Sequence, residues 1–283
     1  MTIDDARKEL KKQQQLNENY YYTYNPLLAK PILIDKNDII CPIPLFIYWQ
    51  ITSGIYYWIF NEKGFDNAFG NSFQNYVGEV LKKSCNNPTL KIIAEEKYGK
   101  PEKGTADWII TDKDSVLFIE CKTKRMRLDS KSSLEITESL ERDLKKMAEF
   151  IGQLYKTYLE YKNNQYPTLK YDETMNFYPL VLTLEDWYLN INHILLDKVK
   201  GFVIDYFGVN NLSLQLLEKF PYHIRCASEF ERHIQLINGL GIKEYFHKTV
   251  NNLIQDYEPT FEMVDIYEGE FQKVFLAPFK DEK

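Results

Sequence analysis

The sequence has few cysteines and shows none of the spacings that cysteine sites use. Its four cysteines, Cys41, Cys85, Cys121 and Cys226, are scattered without a CxxC or Cys/His pattern. This argues against a structural zinc site and against a disulfide framework, and a reducing, cytoplasmic setting is expected. The 12 glycines and 11 prolines among 283 residues are too few for a low-complexity or disordered chain.

An excess of positive charge is also missing. The chain carries 35 Lys and Arg against 41 Asp and Glu, a formal net charge of -6. This excludes a protein whose whole surface attracts nucleic acid, so any phosphate-binding face must be local. Hydrophobic residues make up 44% of the chain and charged residues 27%, which is typical of a globular protein with a sizeable core.

The segment 41–60, CPIPLFIYWQITSGIYYWIF, lacks any charged residue and is long enough to cross a bilayer. However, prolines crowd its first residues, polar residues and a glycine interrupt its middle, and no basic cluster flanks it. We therefore expect no membrane span. The segment is expected to pack on the chain itself or on a second subunit, which would mostly bury Ile47, Trp49, Ile55 and Trp58.

The order of sequence patterns divides the chain into three parts. Residues 1–64 are predicted to be an N-terminal arm, residues 65–190 a core domain, and residues 191–283 a mainly helical C-terminal extension packed on the core. The spacing of apolar residues in the core domain predicts a helix, three short strands, a long amphipathic helix and a further strand. This order predicts an α/β fold with a mixed β-sheet flanked by helices.

Charged residues occur unexpectedly in the predicted hairpin at 105–125, TADWIITDKDSVLFIECKTKR. Side chains alternate across a strand, so Glu120 and Lys122 project from the same face. The position of Asp107 depends on the turn. A two-residue loop at residues 113–114 places Asp107 directly opposite Glu120, whereas a loop centred between residues 112 and 113 places it opposite Phe118 on the same face. Only an odd-length loop would turn it away.

Two carboxylates on one face need a compensating positive charge. At cross-strand distance they repel by roughly 3 kcal/mol at an effective dielectric constant near 20. Lys122 supplies one charge, and a hard divalent cation such as Mg²⁺ would be held well by one or two carboxylates, water and phosphate oxygens. Lys124 and Arg125, just beyond the second strand, are suited to binding phosphate.

Asp107 and the sequence Glu120-Cys121-Lys122, on consecutive strands between two helices, resemble the PD-(D/E)XK or restriction-endonuclease-like nuclease superfamily over residues 69–187. The resemblance implies that Asp107, Glu120 and the Cys121 carbonyl bind Mg²⁺, with Mn²⁺ as a substitute, and that Lys122 activates water. It also implies a metal-dependent phosphodiesterase, DNA being favoured over RNA and internal cutting over end cutting. A role in prokaryotic restriction or phage defence would fit.

The resemblance has departures and leaves alternatives open. Ala106 replaces the proline that names the motif. The helical glutamate of many members would fall on Gln74 or Glu79, and which of them assists the metal is unresolved. Gln153 resembles a glutamine that some members place near the scissile phosphate, so it joins Lys124 and Arg125 as a predicted substrate contact. The alternative function is a catalytically inactive, nuclease-like subunit that binds nucleic acid or regulates a partner, and a homo-oligomer or a protein partner stays open.

Overall fold

The computed structural model describes residues 1–16, 25–126, 138–187, 189 and 193–251. It divides into two compact units, one comprising residues 1–68 with 126–143 and the other residues 69–125 with 144 onwards. The predicted division of the chain at residues 64 and 190 stays a prediction.

The first unit is built from short elements. Its strands β1 and β2 form an antiparallel hairpin in which Ile34 lies opposite Ile39, with Lys36 at a positive φ of 52° in the turn. The elements are α1 (Ile3–Leu16), α2 (Pro26–Ala29), β1 (Leu33–Asp35), β2 (Asp38–Ile40), α3 (Pro44–Ile51) and α4 (Tyr56–Ile59).

The uncharged segment 41–60 forms α3 and α4, which a single 3₁₀ turn at Ser53–Ile55 separates. Across the residues that the structure describes, no helix has both the length and the apolar character needed to cross a membrane. The expected burial against the chain is wrong for Ile55 and Trp58, which are 52% and 66% exposed, whereas Ile47 is 37% exposed and Trp49 is partly buried. Two short helices with a break between them cover little of their own surface. Burial against a second subunit stays open.

The second unit contains a five-stranded mixed sheet in the order β3-β6-β7-β8-β9. Strand β6 pairs antiparallel with both β3 and β7, whereas β7, β8 and β9 run parallel. The strands are β3 (Lys91–Ala94), β4 (Lys97–Tyr98), β5 (Lys103–Gly104), β6 (Trp108–Thr111), β7 (Ser115–Lys122), β8 (Asn176–Thr183) and β9 (His223–Cys226). The pair β4 and β5 forms a separate small hairpin.

Helices cover both faces of this sheet. They are α5 (Phe65–Ser84), α6 (Glu138–Lys162), α7 (His193–Val209), α8 (Gln215–Lys219), α9 (Ala227–Leu240) and α10 (Ile242–Asn251). Apolar side chains of α5, α9 and α10 pack on the face formed by Leu117, Ile119 and Leu182. On the opposite face, Phe118 and Phe177 contact the α6 tyrosines, with ring centroids 5.5 Å apart for Phe118 and Tyr161.

This arrangement confirms the predicted fold class. The described chain has a mixed β-sheet flanked by helices and a mostly helical region after β8. Strand β7 is apolar on both faces because helices cover both, which explains its continuous run of Val116, Leu117, Phe118 and Ile119. The long helix α6 links the parallel strands β7 and β8, as a crossover connection requires.

Candidate active site

The register of the β6–β7 hairpin decides where Asp107 lies. Thr111 pairs with Val116, and the Asp112 amide donates to the Ser115 carbonyl at 3.0 Å, which leaves a two-residue loop at 113–114. The Asp112 carboxylate supports this turn by accepting from the Asp114 amide at 3.2 Å. Continued past Trp108, this register places Asp107 directly opposite Glu120, as the first of the two sequence alternatives expects.

The Asp107 carboxylate lies at the start of β6 and is held from the neighbouring strand. Its Oδ2 accepts a hydrogen bond from the Cys121 amide at 2.7 Å. Burial and the nearby Glu120 charge raise the pKa of Asp107 to about 7, although the Cys121 amide and Lys122 act in the opposite direction. The surroundings therefore disfavour the ionised form of Asp107, and a bound cation would lower the free-energy cost of its negative charge.

Glu120 and Lys122 lie beside each other on the face of β7 that α6 covers. Lys122 Nζ donates to Glu120 Oε1 at 2.7 Å, and Glu120 is only 5% exposed. The Lys122 ammonium also lies 5.1 Å from the centroid of the Phe150 ring. The pair is too buried to be a solvated surface salt bridge, and this burial strengthens its electrostatic interaction.

Gln153 completes this group from helix α6. Its Nε2 donates to Glu120 Oε1 at 3.0 Å, and its Oε1 accepts from Lys122 Nζ at 3.5 Å. One amide thus contacts both charged groups of β7. The stripe of buried residues on α6, which includes Leu154 and Tyr158, packs this helix on the sheet and brings Gln153 over the strand end.

Glu95 is a neighbour that the sequence analysis missed. It follows β3, where Ala94 pairs with Trp108, and its amide donates to the Asp107 carbonyl at 3.1 Å. Glu95 is thus the cross-strand neighbour of Asp107, and its carboxylate pairs with Lys97. A Cβ at Gly104 would lie 1.9 Å from Glu95 Oε1, so glycine there leaves room for the carboxylate. The polar end of the predicted first strand is the sequence signal for this position.

The predicted helical residues Gln74 and Glu79 lie on α5, which packs on the other face of the sheet. The Gln74 carbonyl accepts a hydrogen bond from the Trp108 indole at 2.9 Å. Glu79 forms an exposed ion pair with Lys82 at 2.9 Å. The Glu79 carboxylate is therefore engaged on its own helix, and assistance to a metal by Gln74 or Glu79 stays a prediction.

The predicted phosphate contacts follow β7 directly. Arg125 forms an ion pair with Glu185 at 2.9 Å, and its side chain is 10% exposed. Lys124 is partly buried. Arg125 is thus already engaged in the folded chain, and its contact with substrate stays a prediction.

Comparisons with known proteins add little to this geometry. No protein-family model and no curated protein sequence matches the chain. Among solved structures, it is similar to the small subunit of the heterodimeric restriction endonuclease R.BspD6I. The identity is 14% and the TM-score 0.33, over 65% of this chain and 78% of that one. A similarity this distant assigns neither a family nor an activity.

The donor atoms at the hairpin are suited to a hard cation. The described residues contain no group of three or more His, Cys, Asp or Glu side chains placed to hold a metal ion. Two carboxylates with a backbone carbonyl are nevertheless a sufficient protein share for Mg²⁺, which keeps several waters. The amide and carbonyl of one strand residue point to the same neighbouring strand, so the Cys121 carbonyl faces the Asp107 side.

Proposed function

We propose that this chain is a metal-dependent nuclease that hydrolyses phosphodiester bonds, with DNA as the expected substrate, and that its core is of the PD-(D/E)XK kind. One observation carries the proposal. Asp107 and Glu120 lie on directly opposite strand positions, and the Lys122 ammonium contacts Glu120 on the same face. Mg²⁺ or Mn²⁺ would be held by Asp107, Glu120 and the Cys121 carbonyl.

Each side chain has a separate role in this proposal. When bound, the cation supplies charge neutralisation at a non-bridging phosphate oxygen. Lys122 orients the attacking water and favours its hydroxide form, because an ammonium beside the nucleophile stabilises negative charge there. Gln153 holds Lys122 and Glu120 in one geometry through its amide. Phe150 and the buried strand keep this end of the sheet partly dry, which strengthens both electrostatic effects.

The decisive experiment is a cleavage assay with purified protein. Supercoiled plasmid, linear DNA and RNA are each incubated with Mg²⁺, Mn²⁺ or EDTA. We expect cleavage of DNA with either metal and none with EDTA. Nicking or linearisation of the plasmid distinguishes internal cutting from degradation that starts at ends.

Variants assign the activity to this site. Glu120→Gln removes a proposed ligand and should abolish cleavage. Glu149→Gln makes the same chemical change on the exposed side of α6 and should leave the rate unchanged. Binding of DNA without cleavage under all metal conditions would instead support the inactive, nuclease-like subunit. Cleavage by Glu120→Gln at the wild-type rate would mean that a contaminant or another site is responsible for the nuclease activity.

A further inference from the structure

The first unit exposes an unusual amount of apolar surface. In the described part of the chain, twelve of the seventeen exposed large apolar side chains lie between residues 32 and 60. Six of these are more than half exposed, and we call them the apolar surface: Ile39, Leu45, Tyr48, Ile51, Ile55 and Trp58. Single exposed apolar residues are ordinary, but a concentration of this kind in one unit marks an interaction surface.

Three of the six side chains lie on α3, where Leu45, Tyr48 and Ile51 succeed one another every three residues. Ile55 ends the 3₁₀ turn that follows, and Trp58 lies on α4. Other side chains of the segment pack within the unit, since Trp49 stacks on Tyr57 with centroids 5.9 Å apart. The apolar surface therefore consists of side chains that the segment does not bury by packing on itself.

The hairpin beside this segment adds an open strand edge. Strand β1 is flanked by β2 on one side and by the bridge from Thr2 to Ile34 on the other. Strand β2 has no second neighbour among the described residues, and all three of its residues are exposed. Its central residue, Ile39, is 76% exposed. The strand is short and carries the charge of Asp38, so what this edge adds to the exposed apolar area is the Ile39 side chain.

The area is sufficient for a specific association. At about 200 Å² for a large side chain, the exposed fractions of the six residues add up to at most roughly 800 Å². A standard interface buries about 800 Å² on each partner. We propose that the apolar surface is a self-association interface that a second copy of this chain covers, with the same residues contributed by both copies.

Charge favours a second copy over other occupants. Residues 41–60 contain no charged side chain, so a matching partner must present an equally uncharged apolar surface, and this chain carries one. An anionic membrane is disfavoured because the segment offers no basic residue to lipid headgroups and the chain has a net charge of -6. Two-fold pairing also makes one surface self-complementary, as in most homodimers.

Sedimentation velocity of the 283-residue chain tests the proposal directly. We expect the wild type at micromolar concentration to have twice the monomer mass of 33.6 kDa. Tyr48→Glu and Ile51→Glu each place a charge in the interface and should raise the dimer dissociation constant by about tenfold or more. Both side chains are exposed in the single chain, so the fold should be retained, which circular dichroism checks. Val209→Glu is the matched control, since Val209 is 83% exposed in the second unit.

The outcomes separate a second copy of the chain from a membrane or another partner as the group that covers the apolar surface. A wild type that stays monomeric at tens of micromolar would overturn the proposal, whether or not it then sediments with phosphatidylcholine vesicles. A dimer that both glutamate variants leave unchanged would also overturn it, because the interface would then lie elsewhere. Dissociation by Tyr48→Glu and Ile51→Glu, with Val209→Glu unchanged, supports it. These outcomes are independent of nuclease activity.

Discussion

Replacing Asp107 by asparagine should stabilise the metal-free protein while it destroys the proposed site. Burial and the Glu120 charge raise the pKa of Asp107 from 3.8 to about 7 in the folded state. Asparagine is nearly isosteric, keeps an oxygen that can accept from the Cys121 amide, and never ionises. The variant therefore removes the cost of a buried negative charge and little else.

The pKa shift sets the pH range of the effect. Below about pH 4 the carboxyl is protonated in both folded and unfolded chains, and it makes no difference to stability. Between pH 4 and pH 7 the unfolded chain loses its proton first, so the free energy of unfolding of the wild type falls as the pH rises. Above pH 7, Asp107 is ionised in both states, and the wild type carries the full free-energy cost of the buried negative charge. One pKa unit corresponds to about 1.4 kcal/mol, which gives an upper bound of about 4 kcal/mol for Asp107→Asn.

The measurement is urea denaturation in EDTA at several pH values. Because Asp107 interacts with Glu120 and the site can relax, we expect the variant to be more stable by about 1–3 kcal/mol at pH 8 and equal to the wild type near pH 4. With saturating Mg²⁺ the order should reverse, since only the wild type gains binding energy. Asp205→Asn, at an exposed position of α7, is the control and should show neither effect. Identical pH dependence of wild type and Asp107→Asn would refute the described environment of Asp107.

Four further substitutions test other features of the structure. Lys122→Ala should lower the cleavage rate by about a hundred- to ten-thousand-fold while Mg²⁺ affinity by calorimetry is kept, because it removes help for the nucleophile and no ligand; an undiminished rate would contradict the role. Phe118→Ala should cost about 3–5 kcal/mol in urea denaturation, since its ring is fully buried among aromatic side chains. Gly78→Ala should cost about 1–3 kcal/mol because its Cβ would lie 2.3 Å from the Trp108 ring. Gly70→Ala on the same helix meets no atom within 4 Å and should stabilise by about 0.5–1 kcal/mol.

Several features of the proposed site follow from the sequence alone. Strand periodicity places Glu120 and Lys122 on one face in any fold that keeps β7 extended. The apolar spacing of α6 and the continuous apolar run of β7 predict a sheet covered by helices on both sides, as the structure has it. These features depend on local geometry, which neighbouring residues in the chain define.

Other features required the tertiary structure. The sequence left the loop length, and with it the position of Asp107, open. The structure has the two-residue loop, and its Asp112 also accepts from the Ile242 amide at 2.8 Å, 130 residues away. Glu95 reaches Asp107 only through strand pairing, and Gln153 reaches Glu120 only because α6 crosses the sheet. Exposure of segment 41–60 could not be read from its composition, because an uncharged apolar sequence fits a core and an interface equally well. Contacts between distant residues form when packing selects one arrangement among those that local periodicity allows.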